Sequence, residues 1–148
     1  MRKHIPNIIT LLNLFFGCWA IVYTFQKGAV ASVDQLGDII IEIPEKLYLA
    51  SVCIMIAAII DFFDGFVARL LKVHSELGKQ LDSLADVVSF GVAPACIVFQ
   101  FLRLALADNV NALSSPSFLL APAFLIVMAG AYRLGRFNLD TEQTNYFK

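Results

Sequence analysis

The sequence predicts an all-α fold, a bundle of helices that cross a membrane, and three observations carry that prediction. Hydrophobic residues make up 59% of the chain and charged ones 16%, and the mean hydropathy is +0.75, whereas a soluble domain is about one-quarter charged. The apolar residues fall in blocks long enough to span a bilayer core. The lysines and arginines gather between those blocks, with a bias toward one side.

The first block, residues 8–25, carries no charge over 18 positions, roughly 27 Å of helix, which approaches the bilayer's hydrocarbon thickness. Arg2 and Lys3 ahead of it give the outline of a signal peptide. The length of the block, Asn13 inside it and the lack of a small-residue cleavage site after Tyr23 favour a retained helix. A second block, residues 47–60, is apolar apart from Tyr48 and Ser51 and runs into a cluster of acids. Residues 87–101 and 118–132 supply the third and fourth blocks, and Pro94 is expected to bend the third helix. The polar stretch 26–46 holds Asp34, Asp38, Glu42 and Glu45, and its DIIIEIP run reads as a short interfacial element.

With the N-terminus cytoplasmic, that side carries Arg2, Lys3, Arg69, Lys72, Lys79, Arg133, Arg136 and Lys148, against Lys27, Lys46 and Arg103 on the other. That bias obeys the positive-inside rule. Cys18, Cys53 and Cys96 are odd in number and have no CxxC spacing, so they give neither a disulfide framework nor a zinc site and read as small apolar filler. His4 and His74 are isolated in polar flanks. A net charge of −1 argues against a nucleic-acid partner.

The most informative residues are Asp61, Asp64, Gly65, Ala68, Arg69, Gly78, Asp82 and Asp86, which spell DxxDGxxAR, eight residues, GxxxDxxxD. At ordinary residue frequencies a chance match in a chain this long is on the order of one in 10^8, so the pattern is a signature. Carboxylates in or beside hydrocarbon are expensive, and their default reading is a water-accessible functional cavity with a cation. Asp61 and Asp64 stand at i and i+3, Asp82 and Asp86 at i and i+4, so each pair shares a helix face. A short connection over residues 72–78 would return the chain as an antiparallel neighbour, letting all four acids converge in a recess open to the cytoplasm.

Converging carboxylates with no His or Cys nearby suit a hard, oxygen-loving ion such as Mg²⁺ or Mn²⁺, and two ions would offset the mutual repulsion of the acids. Gly65 and Ala68 would let a flat base or a diphosphate approach the helix backbone, or would serve close helix packing. Arg69 can pair with a phosphate or a carboxylate. Asn13 alone reads as an interhelical hydrogen bond. Arg133 and Arg136 read equally as a positive-inside anchor and as a phosphate site.

These eight residues resemble the signature of the CDP-alcohol phosphatidyltransferases, integral membrane enzymes that displace CMP from a CDP-linked substrate by an alcohol. The runs DFFDGFVARLLK from Asp61, GKQLDSLADVVSFGVAPA from Gly78, IPNIITLLNLFFG from Ile5 and RLGRFN from Arg133 resemble the serine-accepting, membrane-embedded branch of that family. The resemblance covers nearly the whole chain. It implies that Asp61, Asp64 and Asp82 are ligands of Mg²⁺ or Mn²⁺ and that Asp86 is both a ligand and the general base. It further implies that Gly65, Ala68, Arg69, Gly78 and Asp61 border the cytidine and diphosphate, with Asn7, Thr10 and Asn13 reaching in from the first helix. Ser89, Gly91, Arg133 and Arg136 would face the acceptor or the lipid phosphate.

The substrates implied are CDP-diacylglycerol and L-serine, in the inner cell membrane, with a homodimer as the assembly. A glycerol 3-phosphate or inositol-phosphate acceptor is the nearest alternative, and a cation-conducting membrane protein a more distant one. The DGxxAR word speaks against conduction, which needs no fixed glycine and arginine beside the acids. Residues 1–148 are expected to form a single membrane domain, truncated at its C-terminus, of a fold with six or more helices.

Overall fold

Charge-free blocks in a chain this apolar have one inexpensive way to satisfy their backbone in lipid, which is to hydrogen-bond within the segment as helices. The computed structural model describes residues 5–26, 30–33, 39–42, 46–71, 76–106 and 117–146. Helix α1 runs Ile5–Gln26, α2 Leu47–Leu71, α3 Glu76–Asp86, α4 Ala93–Ala105, α5 Ser117–Leu120 and α6 Leu125–Tyr146. Four spans within them are long and apolar enough to cross a membrane, so the chain is an integral membrane protein built as an all-α bundle.

Two of the expected boundaries move. The third span begins at Glu76, so Gly78 lies in the first turn of α3 and not in the connection before it. The fourth continues well past Tyr132, carrying Arg133 and Arg136 within α6. Between α1 and α2 the chain forms a two-stranded antiparallel hairpin, β1 Val30–Val33 against β2 Ile39–Glu42, with Val30 opposite Glu42 and Val33 opposite Ile39. The Ile-rich run of the DIIIEIP stretch therefore pairs as a strand, as β-branched residues prefer. Asp34, Asp38 and Glu45, like His4, Lys72 and His74, lie outside the described residues.

Contacts along the helices set their directions. Thr10 meets Asp64 at one end of the α1–α2 pair, and the Lys46 ammonium donates to Gln26 Oε1 at the other, so α2 runs antiparallel to α1. Asn13 meets Asp86 at a separation of 73 residues and Thr24 meets Gln100 at 76, a near-constant offset that makes α1 parallel to the third span. Helix α6 returns antiparallel, with Val127 backing Gly91 and Asn138 reaching Ser83.

Packing follows lipid logic. Apart from Leu47 and Leu120, the buried apolar residues are small, among them Ala20, Ala50, Cys53, Ala57, Ala93 and Cys96, while many large ones such as Phe62, Phe118 and Met128 face outward. Lipid tails are as apolar as leucine, so helices gain by close backbone approach and buried polar contacts rather than by hiding large side chains.

Pro94 acts one turn earlier than a simple bend would. A proline lacks the N–H that its helix turn requires, and its ring crowds the carbonyl four residues back. Here the disturbance is taken up as a π-helical stretch, Val87–Val92, in which the Ala93 N–H reaches Val88 O, five residues away. Pro94 follows in the first turn of α4, and the span runs on past it to Ala105. The wide turn starts immediately after Asp86.

Candidate active site

Helix α2 presents Asp61 and Asp64, and α3 presents Asp82 and Asp86. Carboxylate oxygens of Asp61, Asp82 and Asp86 all lie within 4.8 Å of one another, and each of the three side chains is half-buried. Asp82 stands in the field of both Asp61 and Asp64. The two helices thus bring the acids together as their spacing predicts, with one distinction: Asp64 lies outside this close trio, buried toward α1.

Helix α1 supplies the rest. The Thr10 hydroxyl bonds Asp64 Oδ2 and also lies 3.1 Å from Pro6 O. It has a single hydrogen and serves one of them at a time. Asn13 is fully buried, and its Nδ2 donates to Asp86 Oδ1 at 3.5 Å, the outer limit of a hydrogen bond. Two buried oxygens beside these contacts, Asp64 Oδ1 and Asn13 Oδ1, have no hydrogen-bond partner among the described residues. A buried acceptor without a donor costs about 1–3 kcal/mol. The donor set is all oxygen, three of its carboxylates converge, and a further carboxylate oxygen is unpaired, so these residues fit a hard divalent cation.

The surroundings sort the other expected residues. A Cβ added to Gly65 would meet only Arg69 Nη2, at 3.9 Å, so no described helix packs against this glycine and its face stays open beside the acids. The exposed Arg69 guanidinium folds back over it, one turn away. Asn7 is half-buried one turn before Thr10, and Gly78 is half-buried at the start of α3. Ala68 lies on α2, with its side chain outside the described residues. Ser89 is completely buried and its hydroxyl donates to the Asn13 carbonyl at 3.2 Å, while Gly91 is buried against Val127 of α6. Arg133 and Arg136 are exposed on α6.

Two residues matter that the signature does not single out. Gly17 packs directly against Ser89: a Cβ there would collide with its Oγ and come within 2.9 Å of its Cα and 3.0 Å of its Cβ. Asn138 ties the end of α6 to α3, donating to Ser83 Oγ at 2.8 Å and accepting from Lys79 Nζ at its carbonyl, 3.3 Å away. The sequence hints at Gly17 only as a small residue one turn beyond Asn13, and at Asn138 only as the close of the RLGRFN run.

Comparison with known proteins adds to this geometry. Residues 3–147 match the family model described as CDP-alcohol phosphatidyltransferase. The chain is 35% identical over 140 residues to the CDP-diacylglycerol--serine O-phosphatidyltransferase of Saccharomyces cerevisiae, covering 95% of this chain and 43% of that one. It is 32% identical over 145 residues to the enzyme of the same name from Bacillus subtilis, covering 98% and 67%. A CDP-diacylglycerol--glycerol-3-phosphate 3-phosphatidyltransferase of Mycoplasma pneumoniae is 32% identical over 106 residues, covering 69% and 47%. The chain therefore spans about half the length of most of these relatives. No solved structure matches it.

Proposed function

The chain belongs to the CDP-alcohol phosphatidyltransferase family, and on that premise we propose that the protein transfers a phosphatidyl group from CDP-diacylglycerol to L-serine, releasing CMP. The observation that carries this reading is the convergence of Asp61, Asp82 and Asp86 within 4.8 Å, drawn from both halves of the signature. The names of the yeast and Bacillus relatives support serine as the acceptor.

In the proposed reaction, the serine hydroxyl oxygen attacks the phosphorus that carries diacylglycerol. A new P–O bond forms, the P–O bond to CMP breaks, and the hydroxyl proton leaves. Asp86 is the base that takes it. Asn13 Nδ2 donates to Asp86 Oδ1 and so helps to hold the carboxylate in place for that role. Asp61, Asp64, Asp82 and Asp86 would hold Mg²⁺ or Mn²⁺, as one ion or two. When bound, such an ion supplies positive charge against the diphosphate and the departing CMP. Gly65 and Gly78 leave room for the diphosphate and cytidine, Ala68 and Arg69 border them, and Asn7, Thr10 and Asn13 close the side toward α1.

Arg133 and Arg136 are exposed cations on α6, suited to an acceptor carboxylate or a lipid phosphate. Ser89 and Gly91 contribute from behind, since both are buried in helix contacts. The bias of lysine and arginine supports a cytoplasmic N-terminus and a cytoplasmic mouth for the site, in an inner membrane. A homodimer is part of the same proposal.

Glycerol 3-phosphate is the second candidate acceptor, favoured by the Mycoplasma relative. CMP release from CDP-diacylglycerol, measured in parallel with serine, glycerol 3-phosphate and inositol phosphate, separates the readings. Serine alone should support turnover. Release with glycerol 3-phosphate and none with serine would replace the acceptor and keep the family chemistry.

A further inference from the structure

The base proposed above sits at a junction. Asp86 is the last residue of α3, and the π-helical stretch begins at the next position. Such a turn has one residue more than an α-turn and adapts easily in rotation, so the carboxylate's aim depends on what grips the wide turn. Three contacts to α1 do so. Asn13 Nδ2 donates to the Asp86 carboxylate, the Ser89 hydroxyl donates to Asn13 O at 3.2 Å, and Gly17 lies flat against the Ser89 backbone.

These contacts form one device. Asn13 holds Asp86 with its side chain and Ser89 with its main chain, so a single residue of α1 grips both the entry to the wide turn and its middle. Gly17, four residues on, lets the two backbones come this close. Any side chain there would have to displace the Ser89 Cα, which is backbone and cannot swing aside.

We propose that Ser89 and Gly17 are positioning residues for Asp86: they seat the π-helical turn on α1 and thereby aim the carboxylate at the acceptor hydroxyl, without touching substrate. This rests on the reading of Asp86 as the base. It gives Ser89 a role different from direct contact with the acceptor, and the two roles separate kinetically. A residue that aims the base changes the chemical step, whereas one that holds the acceptor changes its binding.

The test uses the protein at its native length in membranes, with CMP release measured against serine concentration for Ser89→Ala, Gly17→Ala and Asp86→Asn. Ser89→Ala loses one hydrogen bond and should lower kcat by about tenfold, with the KM for serine within about twofold of wild type. Gly17→Ala forces the helices apart and should lower kcat by about a hundredfold, as a displacement near 1 Å at a reacting group does. Adding Ser89→Gly to Gly17→Ala removes two of the three crowded atoms and should recover part of that loss. Should Gly17→Ala fail to insert, Ser89→Ala decides, because it only shortens a side chain.

A KM for serine raised by about tenfold or more at unchanged kcat in Ser89→Ala would place Ser89 against the acceptor and overturn the proposal. So would wild-type kinetics in that variant. If Asp86→Asn itself kept wild-type turnover, the base assignment would fall and the positioning role with it. If Asp86→Asn were inactive while Ser89→Ala stayed fully active, the positioning role alone would fall.

Discussion

The two ends of the bundle bury polar groups in opposite ways. Toward the Gln26 end of α1, Gln100 is completely buried yet satisfied on both sides: its Nε2 donates to Thr24 O at 3.0 Å, and its Oε1 accepts from Arg103 Nη1 at 3.3 Å. Thr24 closes its own hydroxyl on Ala20 O at 2.9 Å. Toward the Thr10 end, Asp64 and Asn13 are also buried, yet each keeps an oxygen without a donor among the described residues, next to three converging carboxylates. Folding alone completes the Gln100 end. The acidic end is left with acceptors and negative charge that the described residues do not answer, as expected of a site rather than a joint.

The largest effect should come from removing charge at the acidic end. Asp82→Asn or Asp64→Asn should lower CMP release by about 10^4-fold, equivalent to several kcal/mol of lost transition-state stabilisation, while the protein still inserts. A modest drop in turnover for both would mean that these acids are structural, like Gln100. Asp86→Asn should cost about 10^3-fold in turnover and much less in CDP-diacylglycerol binding, because a base acts on the acceptor rather than on the nucleotide. Equal losses in rate and binding would make Asp86 chiefly a ligand.

The smallest expected effect sharpens the comparison most. Gln100→Ala should reduce stability by about 1 kcal/mol, the scale of interhelical hydrogen bonds in membranes, and leave turnover per folded molecule unchanged. Asn13→Ala should do the reverse. It removes a buried oxygen that lacks a partner, so stability hardly falls, while turnover drops by about tenfold as Asp86 loses its hydrogen bond. Melting and CMP release measured side by side on both variants would expose any mixing of the two roles.

What the sequence reveals divides along physical lines. The four spans are legible because hydropathy integrates over many residues, and the convergence of Asp61, Asp82 and Asp86 is legible because helical spacing fixes which side chains share a face. The separation of Asp64 from that trio is not, since it depends on Thr10 of another helix, 54 residues away. Gly78 reads as a connector because glycine usually marks a turn, but here it falls in the first turn of α3. Pro94 announces a disturbance without its form. A proline removes one donor, and whether the helix bends or widens into a π-turn depends on what packs beside it, here Gly17 and Ser89. Asn138 escapes notice because its meaning lies in where the end of α6 lands.

On the reading proposed above, a divalent cation and a CDP-linked lipid complete the acidic end of the bundle. The most direct measurement is CMP release from CDP-diacylglycerol with serine, by the protein at its native length, first in excess chelator and then on titration with Mg²⁺ or Mn²⁺. Release should be absent in chelator, recover with either ion in wild type, and fail to recover at any ion concentration in Asp82→Asn. Undiminished release in chelator would contradict that reading.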